Sequence, residues 1–167
     1  MSDIIRFRMG EPGELHRLTF DPDRNPAFTQ HLTDLLGAPL PTADRPTRAG
    51  LLIIWQGPND YLIAGLGDRR AALEAAIFGR PALLGDAAAG IMAFDLTGSE
   101  LRTRLGQDRP APGLASRVTR LAALRMTVLW HDAELSAVRL FVDRSYAEYV
   151  RQWLVERWCA VDQTGER

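Results

Sequence analysis

Two pairs of apolar, strand-like segments, each followed by a helix, constrain the fold of this chain more than any other feature. In the first pair, the segments flank the turn-forming residues Gly57-Pro58-Asn59-Asp60, where the ring of Pro58 presets a turn conformation. The predicted order is a strand over 51–56, a strand over 61–66, a helix over 69–78, a strand over 91–96, a short helix over 99–105, strands over 121–130 and 135–142, and a closing helix from Ser145. Because tight hairpins are antiparallel, we predict an α+β fold of two hairpin-helix units, with antiparallel sheets and helices packed on them.

The segment before the first hairpin carries one clear helix signal. Asn25 can cap a helix over 25–36, Pro26 suits its first turn, and Gly37 suits its end. The rest of this segment holds Pro and Gly breakers and is predicted to be irregular. We therefore divide the chain into an N-terminal irregular segment with one helix (1–48), an α+β domain (49–160) and a flexible tail (161–167).

Polar residues at the starts of the other predicted helices are candidate caps. Asp68 precedes the helix over 69–78. Thr97 and Glu100, and likewise Ser145 and Glu148, have the spacing of a capping box, in which each side chain accepts from a backbone amide at the helix start. We interpret these hydroxyl and carboxyl groups as structural.

Composition excludes several classes of chemistry. All 20 basic residues are Arg, so a Schiff-base lysine, a P-loop lysine and a lysine base are ruled out. A net charge of -1 gives no broad cationic surface for nucleic acid. No apolar leader is present, and the longest apolar run, residues 51–55, is far shorter than the roughly 20 residues that cross a bilayer. With one cysteine, we expect a cytoplasmic protein that binds neither nucleic acid nor membrane.

Residues that commonly carry catalysis are scattered. Gly65-Leu66-Gly67 follows a strand and opens a helix, but Arg70 replaces the third glycine of a dinucleotide motif and the preceding hairpin is not a parallel crossover. Neither the histidines nor Cys159 has partners at metal-ligand spacing. We interpret His16, His31 and His131 as surface or loop residues, and Cys159 as a packing residue or a surface thiol. Asp86 and Asp95 are the remaining carboxylate pair, and both sit beside strand ends. We predict no catalytic, cofactor-binding or metal-binding residue on this chain.

Contact with other proteins is the remaining role for the surface. Arg117, Arg120 and Arg125 flank the start of a strong strand, and guanidinium groups suit carboxylates and phosphates, although a solvated strand face is the alternative. Aromatic and Arg residues are enriched at protein interfaces. The candidate contact residues are Gly57, Pro58, Asp60 and Tyr61 at the hairpin tip, the three arginines, and Tyr146, Trp153 and Trp158 in the closing helix.

Several of these segments resemble one protein family. They are Trp55 to Ile63 (WQGPNDYLI), Leu84-Gly85-Asp86, Leu96-Thr97-Gly98, Arg120-Leu121-Ala122, and Arg144 to Tyr149 with Trp153-Leu154. Together they are similar to the gamma subunit of heterotetrameric sarcosine oxidase, in the folate-binding aminomethyltransferase-like superfamily. The chain departs from the family pattern at Ala87, where the family carries Ser, and at Asp108-Arg109-Pro110, where it carries a Cys-Pro stretch.

The resemblance implies an aminomethyltransferase-like fold within a complex of several chains. There this chain is a non-catalytic structural subunit with no cofactor, beside larger flavin-bearing alpha and beta subunits and a small zinc-binding delta subunit. The partners hold FAD, FMN, NAD and zinc, and tetrahydrofolate accepts the one-carbon unit when a secondary amine is oxidatively demethylated. Two alternatives stay open: a stand-alone folate-binding one-carbon module, with the arginines on the folate glutamate tail, and an assembly scaffold unrelated to amines.

Overall fold

Two five-stranded antiparallel sheets form the framework of this chain. The structure is a computed structural model that describes residues 5–43, 45–106, 115–131 and 136–158. The elements are β1 (Arg6–Gly10), β2 (His16–Phe20), α1 (Pro26–Leu36), β3 (Thr47–Arg48), β4 (Leu52–Gly57), β5 (Asp60–Ala64), α2 (Arg69–Ile77), β6 (Ala82–Asp86), β7 (Ile91–Thr97), α3 (Leu101–Arg104), β8 (Ala115–Leu121), β9 (Leu124–Trp130), β10 (Ala137–Asp143) and α4 (Ala147–Arg157). The predicted α+β class with antiparallel sheets is confirmed.

Sheet A has the strand order β1-β7-β10-β9-β8. Strand β7 pairs with β1 on one side and with β10 on the other, and the fully buried Phe94 of β7 lies directly opposite Leu140 of β10. Helix α4 buries Ala147, Val150 and Leu154, which the helical period of 3.6 residues places on one face. The predicted closing helix is therefore present, and it packs through this narrow apolar face.

Sheet B has the order β3-β4-β5-β2-β6 and forms a core with α1 and α2. Helix α1 contributes Phe28, Leu32 and Leu36, spaced four residues apart, and α2 contributes Leu73 and Ile77. The rings of Phe20, Phe28 and Tyr61 also meet: Phe20 lies 5.8 Å from Phe28 and 5.7 Å from Tyr61 between centroids. Burying such apolar area stabilises a sheet face by about 25 cal/mol per Å².

The N-terminal segment contributes a strand to each sheet, which corrects the prediction that it is irregular before the first helix. Strand β1 pairs with β7, and β2 lies between β5 and β6. Burial alternates along β2, with His16, Leu18 and Phe20 buried and with Arg17 and Thr19 exposed. This period of two is a strand pattern, but five residues with a histidine at a buried position give a weak signal.

Contacts divide the chain into two compact units rather than at residue 49. The first unit comprises Met1–Glu11, Gly90–Leu114 and Thr119–Arg167, and the second comprises Pro12–Ala89 and Ala115–Val118. Each unit therefore combines segments that are distant in sequence. The predicted tail over 161–167 and the Asp108-Arg109-Pro110 stretch lie outside the described residues.

One predicted helix cap is confirmed and three are wrong. The Asn25 side chain accepts from the Phe28 amide at 3.0 Å, Pro26 begins α1, and Gly37 ends it in the left-handed conformation. Asp68 and Glu100 have helical backbone angles and make no side-chain cap bond, so neither Asp68 nor the Thr97–Glu100 box caps a helix. The Ser145–Glu148 box is also absent, because the Asp143 carboxylate accepts from the Ser145 amide instead, at 2.9 Å.

A tight turn interrupts the predicted strand over 121–130. Ala122 and Ala123 have φ values of 51° and 64°, and they separate β8 from β9. Positive φ at both central residues is the signature of a type I′ hairpin turn, which usually contains Asn and Gly. An Ala-Ala pair carries no such signal, so the sequence predicts one continuous strand here.

Replacing Ala123 with Gly should stabilise the protein. The left-handed conformation costs a residue with a Cβ about 1–2 kcal/mol, which glycine avoids, although glycine also loses more chain entropy on folding. We expect the free energy of unfolding to rise by about 0.5–1 kcal/mol in urea denaturation. The matched control is Ala71→Gly on the exposed side of α2, which should lower it by about 1 kcal/mol. A loss of stability in both variants would contradict the strained turn.

Candidate functional site

The Gly65-Leu66-Gly67 turn would have to offer backbone amides to bind a nucleotide phosphate, and one of these amides already donates to a carboxylate. The backbone N–H of Gly67 donates to Glu14 Oε1 at 3.0 Å. This bond, followed by the one from His16, lowers the pKa of Glu14, so the group is charged at neutral pH. A carboxylate in this position repels phosphate. The geometry therefore opposes nucleotide binding at the Gly-rich turn.

The interpretation of His16 as a surface or loop histidine is wrong. His16 lies in β2, is 3% exposed, and its Nε2 is 3.1 Å from Glu14 Oε1. Its Nδ1 is buried and has no hydrogen-bond partner among the described residues. His16, His31 and His131 do not belong to a candidate metal site within the described ranges. In the described part of the chain, no three or more His, Cys, Asp or Glu residues form a group suited to a metal ion.

Asp95 is held by arginines on both neighbouring strands. It lies on β7 directly opposite Arg8 of β1 and Arg139 of β10. Arg139 makes two bonds to the carboxylate, at 2.6 and 2.9 Å, and Arg8 makes one at 3.5 Å. The hydrogen bonds from Arg139 are the main cause that lowers the pKa of Asp95. A carboxylate paired in this way is a weak base, which argues against a catalytic role.

Asp86, the other candidate carboxylate, has a local structural role. Its Oδ1 accepts from the Ala88 amide at 2.8 Å and so caps the turn after β6. Asp95 and Asp86 fall in different units and each is bonded to its own neighbours.

The tip of the β4–β5 hairpin is partly buried. Gly57 is buried and Pro58 is exposed, while Asn59 adopts a left-handed conformation with φ 65°. Asp60 is half-buried and accepts from Arg17 Nε at 2.8 Å. Tyr61 is 4% exposed and belongs to the core of sheet B, which removes it from the surface available to a partner.

The predicted arginine cluster divides between two faces. A two-residue turn at 122–123 places Leu121 opposite Leu124, and therefore Arg120 opposite Arg125. Both are exposed. Arg117 is an odd number of residues from Arg120, so its side chain projects from the other face, where it is half-buried.

One exposed aromatic side chain contacts the turn that joins the two strands of this arginine pair. Tyr149 is 49% exposed, and its hydroxyl donates to the Ala122 carbonyl at 3.1 Å, which joins α4 to the β8–β9 turn. Tyr146, one turn earlier, is 48% exposed. Trp158 is buried and its ring lies 5.1 Å from that of the half-buried Trp153, so Trp158 belongs to the core. We name Arg120, Arg125, Tyr146 and Tyr149 the hairpin–helix patch.

The three most exposed of the large apolar side chains that the contact prediction omitted are identified by the structure. They are Tyr149, Phe78 at 88% exposure and Leu83 at 68%. Tyr149 shares the helical face of Tyr146, and that spacing could have found it. The exposure of Phe78 and Leu83 could not be predicted, because each lies in a short apolar stretch that is typical of buried residues.

Comparisons with known proteins identify a fold. No protein-family model and no curated protein matches this sequence. Among 18 similar chains of solved structures is one from the heterotetrameric sarcosine oxidase of Corynebacterium sp. U-96 in complex with pyrrole 2-carboxylate. It has a TM-score of 0.75 and 19% sequence identity, over 91% of this chain and 82% of that chain. The fold of this chain is thus that of a chain in a sarcosine oxidase complex. None of the helices in the described ranges is long and apolar enough to cross a membrane.

Replacing Asp95 with Asn should destabilise the protein at neutral pH and much less in acid. The folded-state pKa of Asp95 is lowered from the ordinary 3.8, so its contribution is complete above that value and is lost as the pH falls through the folded-state pKa. We expect Asp95→Asn to lower the free energy of unfolding by about 1–2 kcal/mol at pH 7. The difference from the wild-type protein should narrow below about pH 4.

Urea titrations of both proteins at neutral and acidic pH test this expectation. Asp68→Asn is the matched control, because Asp68 is exposed and makes no side-chain cap bond, and it should change stability by less than about 0.5 kcal/mol. An equal loss at both pH values would show that the Arg8–Asp95–Arg139 ladder acts through packing and not through charge.

Proposed function

We propose that this chain is a non-catalytic structural subunit of a heterotetrameric, flavin-dependent complex that oxidatively demethylates a secondary N-methyl amine such as sarcosine. The observation that carries the proposal is the TM-score of 0.75, over 91% of this chain, to a chain of heterotetrameric sarcosine oxidase. Within such a complex we assign the chain to the gamma position. The sequence motifs over 55–63 and 144–149 support this assignment, since they form the β4–β5 hairpin and the start of α4.

The protonation states of the acidic residues support a role without catalysis. Glu11, Asp95 and Glu148 have lowered pKa values because arginine side chains donate hydrogen bonds to them, and their partners are Arg144, Arg139 and Arg151. A general base works best with a pKa near the operating pH, and a general acid must hold its proton there. These carboxylates are charged at neutral pH. Glu11 and Asp95 bond to residues distant in sequence, and Glu148 bonds within α4.

The hairpin–helix patch is the proposed contact with a larger partner subunit. Exposed Tyr and Arg side chains are the residue types that carry most binding energy at protein interfaces. Arg120 and Arg125 are both exposed beside the β8–β9 turn, and guanidinium groups donate strong paired hydrogen bonds to carboxylates. We therefore expect an acidic partner surface.

Cofactors belong to the partner subunits in this proposal. FAD, FMN, NAD and zinc are assigned to the alpha, beta and delta subunits, and tetrahydrofolate receives the one-carbon unit there. This chain's own candidate phosphate-binding turn is closed to anions by Glu14, which accepts from Gly67. The part assigned to this chain is to hold the flavin-bearing subunits in place.

Purification of the tagged full-length chain from its native cells tests the proposal. We expect it to bring down flavin-bearing subunits in fixed stoichiometry, with a flavin absorbance spectrum and amine-dependent flavin reduction when sarcosine is added. The same chain purified alone should be colourless and inactive. Stoichiometric flavin on the isolated chain, or a purified assembly without a flavoprotein, would overturn the proposal.

The double variant Arg120→Glu/Arg125→Glu tests the patch within that complex. Reversing both charges against an acidic surface should reduce the recovery of flavin-bearing subunits by about tenfold or more. The matched control is Arg48→Glu, an exposed arginine in the short β3 strand, which should leave recovery unchanged. Equal recovery with all three proteins would remove the patch from the interface.

A folate-binding one-carbon module is the second candidate, favoured by the exposed guanidinium groups of Arg120 and Arg125 beside the β8–β9 turn. These groups can donate hydrogen bonds to the carboxylates of a folate glutamate tail. Calorimetric titration of the isolated chain with tetrahydrofolate separates the two functions. Binding that weakens about tenfold or more in Arg120→Ala supports this candidate. Absence of heat at near-millimolar folate rejects it.

A further inference from the structure

The two sheets have four outer strands, and three of them carry features that oppose pairing with another chain. Outer strands expose backbone hydrogen-bonding groups, and proteins commonly protect them with charge or by keeping them short. Strand β1 carries exposed Arg6 and Arg8, and β3 has only two residues. Strand β8 carries Arg117 and Arg120. Strand β6, with the sequence ALLGD, has five residues and no basic side chain.

The hydrogen-bond pattern shows which backbone groups of β6 point away from the sheet. The Ala87 amide donates to the Leu15 carbonyl at 2.9 Å, on the line of the β2–β6 pairing. Bonded and non-bonded pairs alternate along an antiparallel ladder, so the odd-numbered residues of β6 bond to β2. The residues whose N–H and C=O groups lie on the open side are therefore Ala82, Leu84 and Asp86.

Side chains along this edge are unusually apolar for a surface. Leu83 is 68% exposed and lies on the face of the sheet opposite the core side chains of Ala82 and Leu84. Phe78, just before the strand, is 88% exposed. Two residues beyond Leu83, and on the same face, Gly85 has open space where a side chain would be: a Cβ placed there meets no atom within 4 Å.

From these features we infer that β6 is a homodimerisation edge. Two copies of the chain pair antiparallel there, about a two-fold axis that passes between their Leu84 residues. This inference is independent of the function proposed above. The proposed pairing joins sheet B of one copy to sheet B of a second copy. The interface is isologous, so each copy presents the same residues to the other.

The available backbone groups match this arrangement. The Leu84 residues face each other, and each donates its N–H to the other's C=O. The Asp86 N–H of each copy meets the Ala82 C=O of the other, because residues two positions on either side of the axis are opposite each other. The Ala82 N–H does not take part, since it already donates to the Arg80 carbonyl at 2.8 Å.

The side chains are also complementary in this register. Leu83 lies directly opposite Gly85 of the second copy, so the exposed leucine enters the open space above the glycine. The two Asp86 residues lie at opposite ends of the paired strands, and no like charges meet at the centre. A second copy therefore fits the edge better than a strand of arbitrary sequence, which would need its own small residue opposite Leu83.

Sedimentation velocity of the full-length chain at increasing concentration tests the inference. A short edge contact dissociates in the micromolar range, so the mass should rise from monomer to dimer between about 1 and 300 µM. Leu83→Arg should raise the dissociation constant at least about tenfold, because it places a charge next to the centre of the paired strands, where the wild-type edge has none. Met9→Arg, at an exposed apolar residue of strand β1, should behave as wild type. A wild-type chain that stays monomeric, or equal effects of both variants, would overturn the inference.

Disulfide cross-linking tests the register itself. Residues 83 and 85 of facing copies form a non-hydrogen-bonded pair, with a Cα separation of about 4.5 Å that suits a disulfide. Two single-cysteine proteins, Leu83→Cys and Gly85→Cys in a Cys159→Ser background, should therefore cross-link when mixed and oxidised. Each alone should cross-link at least about fivefold less, because identical positions are further apart. Equal yields from the mixture and from either protein alone would contradict the pairing about Leu84.

Discussion

Burial of the apolar face of β2 is the interaction on which the second unit depends. The β4–β5 hairpin alone is two-stranded, and such a hairpin is only marginally stable in water. Strand β2 pairs with β5 on one side and with β6 on the other, so it extends the hairpin into a sheet. Its buried residues Leu18 and Phe20 join the side chains of α1 and α2 in one core. Truncating either side chain would leave a cavity between the sheet and these helices and so lower the stability of the unit.

The same placement decides which edge of sheet B remains open. Because β2 occupies the inner position, β6 becomes the outer strand and Leu83 has no covering element among the described residues. In sheet A, by contrast, the outer strands carry arginines, and the central Asp95 accepts from Arg8 and Arg139. Charged side chains on its outer strands therefore protect sheet A from pairing with another chain. Sheet B keeps exposed apolar side chains along its β6 edge, which suits that edge to assembly. Both the proposed subunit role and the dimer contact are consistent with a chain whose function lies on its surface.

The sequence predicted the first hairpin and the first helix correctly, but it did not predict the pairing of distant strands or three of the four helix caps. The β4–β5 hairpin and the capped helix α1 follow from Gly57-Pro58-Asn59-Asp60 and from Asn25, whose turn and cap chemistry acts within a few residues. Strand β2 was missed, since five alternating residues become a strand only when β5 and β6 supply partners. The break at Ala122 was also missed, because the pairing of β8 with β9 overrides the backbone preference of alanine.

The sequence by itself determined the α+β class, the absence of lysine chemistry, and the residue types available for contact. Only the tertiary structure decided which of those residues reach the surface. Tyr61 and Trp158 are buried, whereas Tyr149 is exposed and bonded to the β8–β9 turn. The reason is physical: an aromatic side chain gains free energy wherever it is removed from water, and its sequence neighbours do not specify which distant element will cover it. The pairing of strands that are distant in sequence therefore determines which aromatic side chains are buried.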